Sequence, residues 1–149
     1  IAGLGWLLTQ IIVEPKVQIV GTSNDSEVQT AVRDYAAAIQ DYLSANPLER
    51  LAVNINANNL SRAIQSRYPE VSSVSPPAKG ALWSADFSVN LRSPVVYWQS
   101  GNMKAYVDST GVVFERNILG TSVIAVEDQT GIRASVNKKK TKFGDFALF

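Results

Sequence analysis

A strict alternation of apolar and polar residues between positions 83 and 92, within a predicted strand from Leu82 to Arg92, is the feature that most restricts the possible folds. The polar members are Ser84, Asp86, Ser88, Asn90 and Arg92, and the apolar members between them are Trp83, Ala85, Phe87, Val89 and Leu91. Successive side chains of a β-strand point to opposite faces, so this pattern predicts a strand with one buried and one solvated face. The chain is therefore expected to build a sheet that packs one face on a core.

A long amphipathic helix is predicted before that strand, from about Ser26 to Ala45. Asp25 or Ser26 is the candidate N-cap, and Pro47 closes the helix. Apolar residues recur at helical spacing through this stretch: Val28, Val32, Tyr35, Ile39, Tyr42 and Leu43.

Shorter elements flank the long helix. Residues 16–20 alternate and predict a strand, and a second helix that carries Leu60 and Ile64 is predicted between the cap candidates at 56–59 and Pro69. This helix must end before Pro69, because a residue that precedes proline is disfavoured in the α conformation. Residues 71–74 then predict another strand.

A run of short strands follows Pro94. Strands are predicted at 95–99, 104–107, 112–114 and 123–126, and turns at 100–102, 108–111 and 128–131. The predicted fold class is therefore α+β, with a β-α-α-β-β unit followed by a mostly antiparallel β extension. The predicted divisions are a membrane-proximal apolar segment (1–15), the first unit (16–92) and a partial β-domain (93–149).

Composition excludes several kinds of active site. The 149 residues include no His and no Cys, which removes Ser–His and Cys–His dyads, thiolate nucleophiles and cysteine-bound metal centres. The formal net charge of +1 gives no general electrostatic reason to expect nucleic-acid binding. We predict a non-enzymatic chain with no catalytic, cofactor-binding or metal-binding residues.

The two ends of the chain suggest a fragment. Residues 1–13 are apolar apart from Thr9 and Gln10, but a membrane-spanning helix needs about 20 such residues. This segment could be the outer end of a span, the core of a signal peptide or a buried element of the domain. At the other end, Phe143, Phe146 and Phe149 are spaced as in the first turns of a helix; a final strand or a frayed end is the alternative.

Three stretches resemble motifs of a known family. Residues 68–74 (Tyr-Pro-Glu-Val-Ser-Ser-Val) resemble the Pro-x-Val-x-x-Val join between the second helix and second strand in the FtsQ/DivIB cell-division proteins. Residues 91–98 (Leu-Arg-Ser-Pro-Val-Val-Tyr-Trp) resemble the junction at which the POTRA domain of that family passes into the β-domain. Residues 106–114 resemble the family's Leu-Val-Asp-x-x-Gly-x-x-Phe hairpin, and the β-α-α-β-β order is similar to a POTRA domain.

The resemblance implies a scaffold of the bacterial divisome. Such a protein crosses the cell membrane once, has its bulk outside the cytoplasm, and links early division proteins to septal peptidoglycan synthesis through FtsB and FtsL. Residues 1–13 would then be the outer end of an incomplete transmembrane helix or its stalk. In the family, FtsB adds a strand to the β-domain near its C-terminal end; that part of the chain is expected to be missing here, so partner-binding residues stay unknown.

Several single residues have both a functional and a structural interpretation. Arg92 and Pro94 could mark a partner surface, but we favour a proline that redirects the chain and an arginine that pairs with a nearby carboxylate. Asp108 and Gly111 could form a metal or phosphate loop, but a hairpin turn explains them. Trp83 and Trp98 are expected to be packing residues rather than an exposed anchor for a partner. The basic run is expected to be a solvated loop rather than a contact for lipid or nucleic acid: Lys138, Lys139, Lys140 and Lys142.

Two other functions remain open. The first is a POTRA module of an outer-membrane insertion or secretion system. The second is a carboxylate-based hydrolase, which would need two facing carboxylates about 5–10 Å apart in a cleft. The carboxylates of the second half show no obvious pair: Asp86, Asp108, Glu115, Glu127 and Asp128.

Overall fold

A computed structural model of the chain describes residues 14–22, 25–51, 54–77, 86–100 and 103–127. These ranges contain helices and strands in mixed sheets, and the predicted α+β class is confirmed. In chain order the elements are β1 (Lys16–Ile19), α1 (Ser26–Ala45), a 3-10 helix (Pro47–Arg50), α2 (Ala57–Arg67), β2 (Val71–Ser75), β3 (Asp86–Leu91), β4 (Pro94–Ser100), β5 (Met103–Asp108), β6 (Val113–Phe114) and β7 (Ile124–Glu127).

The first sheet has the strand order β1-β3-β2, with β3 between the other two. β1 runs parallel to β3, and β2 runs antiparallel to it. The alternation predicted for β3 holds in its described part, since Phe87 and Val89 are fully buried whereas Asp86 is exposed. Trp83 and Ala85 lie outside the described residues.

Both helices cover the face of the first sheet that carries Phe87 and Val89. They share with that face one buried cluster: Ile19, Val28, Ala31, Tyr35, Ala38, Ile39, Leu43, Leu60, Ile64, Val71, Val74, Phe87 and Val89. Sheet and helices thus bury their apolar sides against each other, as the two hydrophobic periodicities require.

The helix boundaries follow from local chemistry. α1 spans the predicted range, and Asp25 is its N-cap although its side chain makes no capping bond. Pro47 ends α1 and opens the 3-10 helix, because its fixed φ suits the first position of a helix. The carboxamide oxygen of Asn56 accepts hydrogen bonds from the backbone of Asn58 and Asn59 and so caps α2.

The second sheet has the strand order β6-β5-β4-β7. β5 is antiparallel to both β4 and β6, whereas β7 runs parallel to β4. A mostly antiparallel extension is therefore confirmed for the described residues. β3 ends at Leu91 and β4 begins at Pro94 in the other sheet, while the proposed domain division at 92/93 stays a prediction.

Several predicted features lie outside the described residues. They are the apolar segment 1–13, Trp83, Asp128, the lysine run at 138–142 and the phenylalanines at 143–149. Among the helices of the described ranges, none combines the length and apolarity needed to cross a membrane.

Candidate functional site

Arg92 lies in the short connection between the two sheets and makes three hydrogen bonds to two other parts of the chain. Its guanidinium donates from Nη1 to Oδ2 of Asp108 at 2.8 Å and from Nε to the carbonyl of Pro69 at 2.9 Å. Its backbone N–H donates to the carbonyl of Glu70 at 2.8 Å. The side chains of Arg92 and Asp108 are only 17% and 7% exposed. The predicted pairing of Arg92 with a carboxylate is therefore confirmed.

Asp108 closes the hairpin that joins β5 to β6. Its Oδ1 accepts from the N–H of Thr110 at 2.8 Å, the Thr110 hydroxyl at 2.7 Å and the N–H of Val112 at 2.9 Å. Gly111 has a φ of 79°, which is the left-handed conformation that favours glycine. The predicted hairpin is confirmed, and the Asp108 carboxylate is occupied by donors from the protein itself.

The environment of Asp108 favours its charged form. Burial alone would raise the pKa of this carboxyl, but the hydrogen bonds from Thr110, Val112 and Arg92 outweigh burial and lower the pKa below its ordinary value. The group is thus a carboxylate at neutral pH, as its ion pair with Arg92 requires.

A second arginine, Arg116, joins the segment after β6 to the first unit. Its Nη1 donates to Oδ2 of Asp34 on α1 at 3.1 Å and lies 3.8 Å from Oε1 of Glu70. The hydroxyl of Tyr35 donates to the same Glu70 oxygen at 3.1 Å. The Tyr68 ring meets the Tyr35 ring edge-on at a centroid distance of 5.1 Å. These contacts hold Glu70 in a nearly buried position with a cation beside it.

The surroundings of Tyr35 and Arg116 fix the ionisation state of each group. Burial raises the pKa of the Tyr35 phenol well above its ordinary value, and the negative charge of Glu70 adds to this rise. Burial acts to lower the pKa of Arg116, but the hydrogen bond to Asp34 and the nearby negative charges raise it overall. Tyr35 is therefore neutral and Arg116 charged throughout the physiological range.

Sequence reasoning missed the Arg116 group because its members are far apart in the chain. Asp34 and Arg116 are separated by 82 positions, and Tyr35 and Glu70 by 35. The one sequence signal for a buried carboxylate was weak: Glu70 directly precedes Val71, which begins a predicted strand and is buried. No local spacing connects it to Arg116.

A different surface is formed by one face of the second sheet. Cα partners across a sheet place their side chains on the same side, so the register assembles two rows. We call these residues the apolar sheet face: Ile124, Val96, Val107 and Val113 in one row, and Val126, Trp98 and Ala105 in the other. The other side carries the rings of Tyr97, Tyr106 and Phe114, with centroids 5.2 and 6.1 Å apart along the series.

Exposure of the apolar sheet face increases toward β7. Ala105 and Val107 on β5 are buried, and Val96 and Trp98 on β4 are half-buried. On β7, Ile124 is 72% exposed and Val126 is 44% exposed. An apolar outer strand that is exposed along its length is typical of a place where another chain binds.

The remaining predicted residues are dispersed. Pro94 is buried and lies opposite Asp108 in the β4–β5 register, which fits its structural interpretation. Asp86, Glu115 and Glu127 are exposed; Asp86 lies on β3, Glu115 follows β6 and Glu127 lies on β7. In the ranges that the structure covers, no three or more Asp or Glu side chains are grouped so that they could hold a metal ion.

Comparisons with known proteins assign this chain to no family. No protein-family model matches the sequence, and no curated protein matches it significantly.

Proposed function

We propose that this chain is a non-enzymatic, extracytoplasmic scaffold of the bacterial divisome, which links early division proteins to septal peptidoglycan synthesis through protein–protein contacts. Partners of the FtsB and FtsL type would bind it, and a single membrane-spanning helix would anchor it. The observation that carries the proposal is the exposed apolar strand β7 at the border of a sheet that two arginines fix to the first unit.

The positions of the three family-like stretches support the proposal. Residues 68–74 contain Pro69 and Glu70, residues 91–98 contain Arg92, and residues 106–114 contain Asp108. Arg92 binds the Pro69 carbonyl and the Asp108 carboxylate, so the three stretches meet at one junction. Weak sequence motifs that contact one another are better support for the resemblance than the same motifs taken separately.

The binding surface would be β7 with the adjoining part of the apolar sheet face. An outer strand offers backbone hydrogen bonds to an extended segment, and side chains such as Ile124 and Val126 select an apolar partner. A rigid sheet also lowers the ordering cost of binding.

A pull-down by the full-length native protein tests the function and the surface together. The protein should capture an FtsB/FtsL pair, and the double variant Ile124→Glu/Val126→Glu should lower the retained fraction about tenfold or more, because two carboxylates would be desolvated in the interface. Leu48→Glu is the matched control, since Leu48 is 79% exposed but belongs to the first unit. It should retain the pair as the wild type does.

The outcomes separate the two parts of the proposal. If the folded wild type captures no FtsB/FtsL pair, the divisome function is wrong. If the wild type and both variants capture the pair equally, the function stands and β7 is not the surface.

A further inference from the structure

Within the part of the chain that the structure describes, the outer side of β2 is covered by side chains rather than by another strand. β2 is at the border of the first sheet, so alternate residues direct their backbone groups away from β3. The carbonyl of Val89 on β3 accepts from the N–H of Val20 at 3.0 Å, which shows that the backbone of Val89 faces the β1 side. Val74 is the Cα partner of Val89, and its N–H and carbonyl therefore point outward from the sheet.

A single hydroxyl on α2 satisfies both of these outward groups. Oγ of Ser61 accepts from the N–H of Val74 at 2.9 Å and donates to the carbonyl of Val74 at 3.2 Å. In an antiparallel ladder, a hydrogen-bonded partner residue exchanges the same two bonds. The Ser61 hydroxyl thus takes the place of one residue of a neighbouring strand.

Gln65, one helical turn after Ser61, covers a second carbonyl on the same border of β2. Its Nε2 donates to the carbonyl of Ser72 at 2.6 Å. Residues four apart on a helix rise about 6 Å, and residues two apart on a strand advance about 6.6 Å, so Ser61 and Gln65 match Val74 and Ser72 in spacing. Leu60 and Ile64 are buried in the core beside them, which fixes this side of α2 against β2.

From this geometry we infer that Ser61 and Gln65 act as a built-in edge lock, which prevents β2 from pairing with a strand of another molecule, including a second copy of this chain. An unprotected outer strand invites such pairing. The lock protects the β2 border of the first sheet and leaves strand addition to other borders of the molecule. It follows from hydrogen bonds of the first unit and holds whether or not the proposed scaffold function is correct.

Amide hydrogen exchange on the full chain tests the lock itself. In Ser61→Ala the amide of Val74 loses its acceptor and should exchange at least about tenfold faster than in the wild type. Ser66→Ala is the matched control, because Ser66 is an exposed serine of the same helix whose hydroxyl binds the carbonyl of Ala63. It should leave the exchange of Val74 unchanged. Equal exchange in Ser61→Ala and the wild type would overturn the inference.

Sedimentation velocity over a concentration series tests the consequence. Ser61→Ala/Gln65→Ala should associate more strongly with rising concentration than the wild type, and the exchange of Val74 should slow again in the associated form, since a second strand now binds it. Ser61→Thr keeps the hydroxyl and should sediment as the wild type does. A folded double variant that sediments like the wild type at every concentration would overturn the inference, and the single-variant exchange experiment remains decisive if the double variant does not fold.

Discussion

At the scale of single residues, Asp108 joins two parts of the structure through different oxygens. Oδ1 holds the β5–β6 hairpin through Thr110 and Val112, and Oδ2 binds Arg92 between the two sheets. A carboxylate is suited to this double use because it accepts several hydrogen bonds and pairs with a guanidinium. The local hairpin and the long-range ion pair thus depend on one side chain.

Asp108→Asn should lower the free energy of unfolding at pH 7 by about 1.5–3 kcal/mol, because a nearly buried charged hydrogen bond is lost. The effect should depend on pH. The pKa of Asp108 is lowered in the folded state, so its stabilisation is present above the ordinary aspartate pKa of about 3.9 and is lost as the pH falls through the folded value. Urea unfolding of the wild type and of Asp108→Asn between pH 7 and pH 3 should show that the difference in their free energies of unfolding becomes smaller in acid.

Asp41→Asn is the control for this measurement. Asp41 pairs with Arg67 on the surface, with its side chain 72% exposed, and its loss should cost no more than about 0.5 kcal/mol. A gap between wild type and Asp108→Asn that stays constant down to pH 3 would contradict the assigned role of the Asp108 charge.

At the scale of elements, Tyr35 connects α1 to the start of β2. Its ring is fully buried and its hydroxyl reaches Glu70, the residue before β2. Tyr35→Phe should lower the free energy of unfolding at neutral pH by about 1–2 kcal/mol, since Glu70 loses one donor but keeps Arg116 nearby.

The contribution of Tyr35 to the free energy of unfolding should be lost at alkaline pH. The raised pKa of Tyr35 means that the folded state keeps the phenol protonated, so its stabilisation is present below the ordinary tyrosine pKa of about 10 and is lost as the pH rises further. Between pH 8 and pH 11 the unfolding free energy of Tyr35→Phe should therefore fall less than that of the wild type. The unfolding free energy of Tyr42→Phe should likewise fall less than that of the wild type, because burial, with the Glu49 hydrogen bond, raises the pKa of Tyr42 to about 12. Equal alkaline losses in the wild type and Tyr35→Phe would contradict the prediction.

The elements could be predicted from the sequence where their cause is local. Helical spacing with a cap and a proline placed α1 at Ser26–Ala45, and alternation placed the strands. The parallel β4–β7 pairing was not predicted, since nothing within residues 123–126 specifies the strand beside it. The edge lock was missed for a related reason: Ser61 and Gln65 look like ordinary polar positions until β2 is placed beside α2.

At the scale of the whole molecule, polar contacts hold the second sheet to the first unit. Arg92 binds the carbonyl of Pro69, and Arg116 lies beside the carboxylate of the next residue, Glu70. Ile118 adds a partly buried apolar contact with the core of the first unit. Two partly buried ion pairs therefore contribute much of the coupling between the sheets, and their loss should weaken that coupling more than it weakens either sheet.

Arg92→Met/Arg116→Met should convert one cooperative thermal transition into two. Methionine retains much of the apolar length but leaves Asp108, Asp34 and Glu70 without their cations. Breaking the largely buried Arg92–Asp108 pair costs about 3–5 kcal/mol, and the more exposed Arg116 pair contributes less. The second sheet should then melt about 10 °C or more below the first unit. Differential scanning calorimetry would show the two transitions, and amide exchange of β5 against β3 would assign them. Arg67→Met removes an exposed ion pair and should keep a single transition. A double variant that melts in one transition at a lower temperature would mean that the sheets are coupled by packing, with Ile118 as the first contact to change.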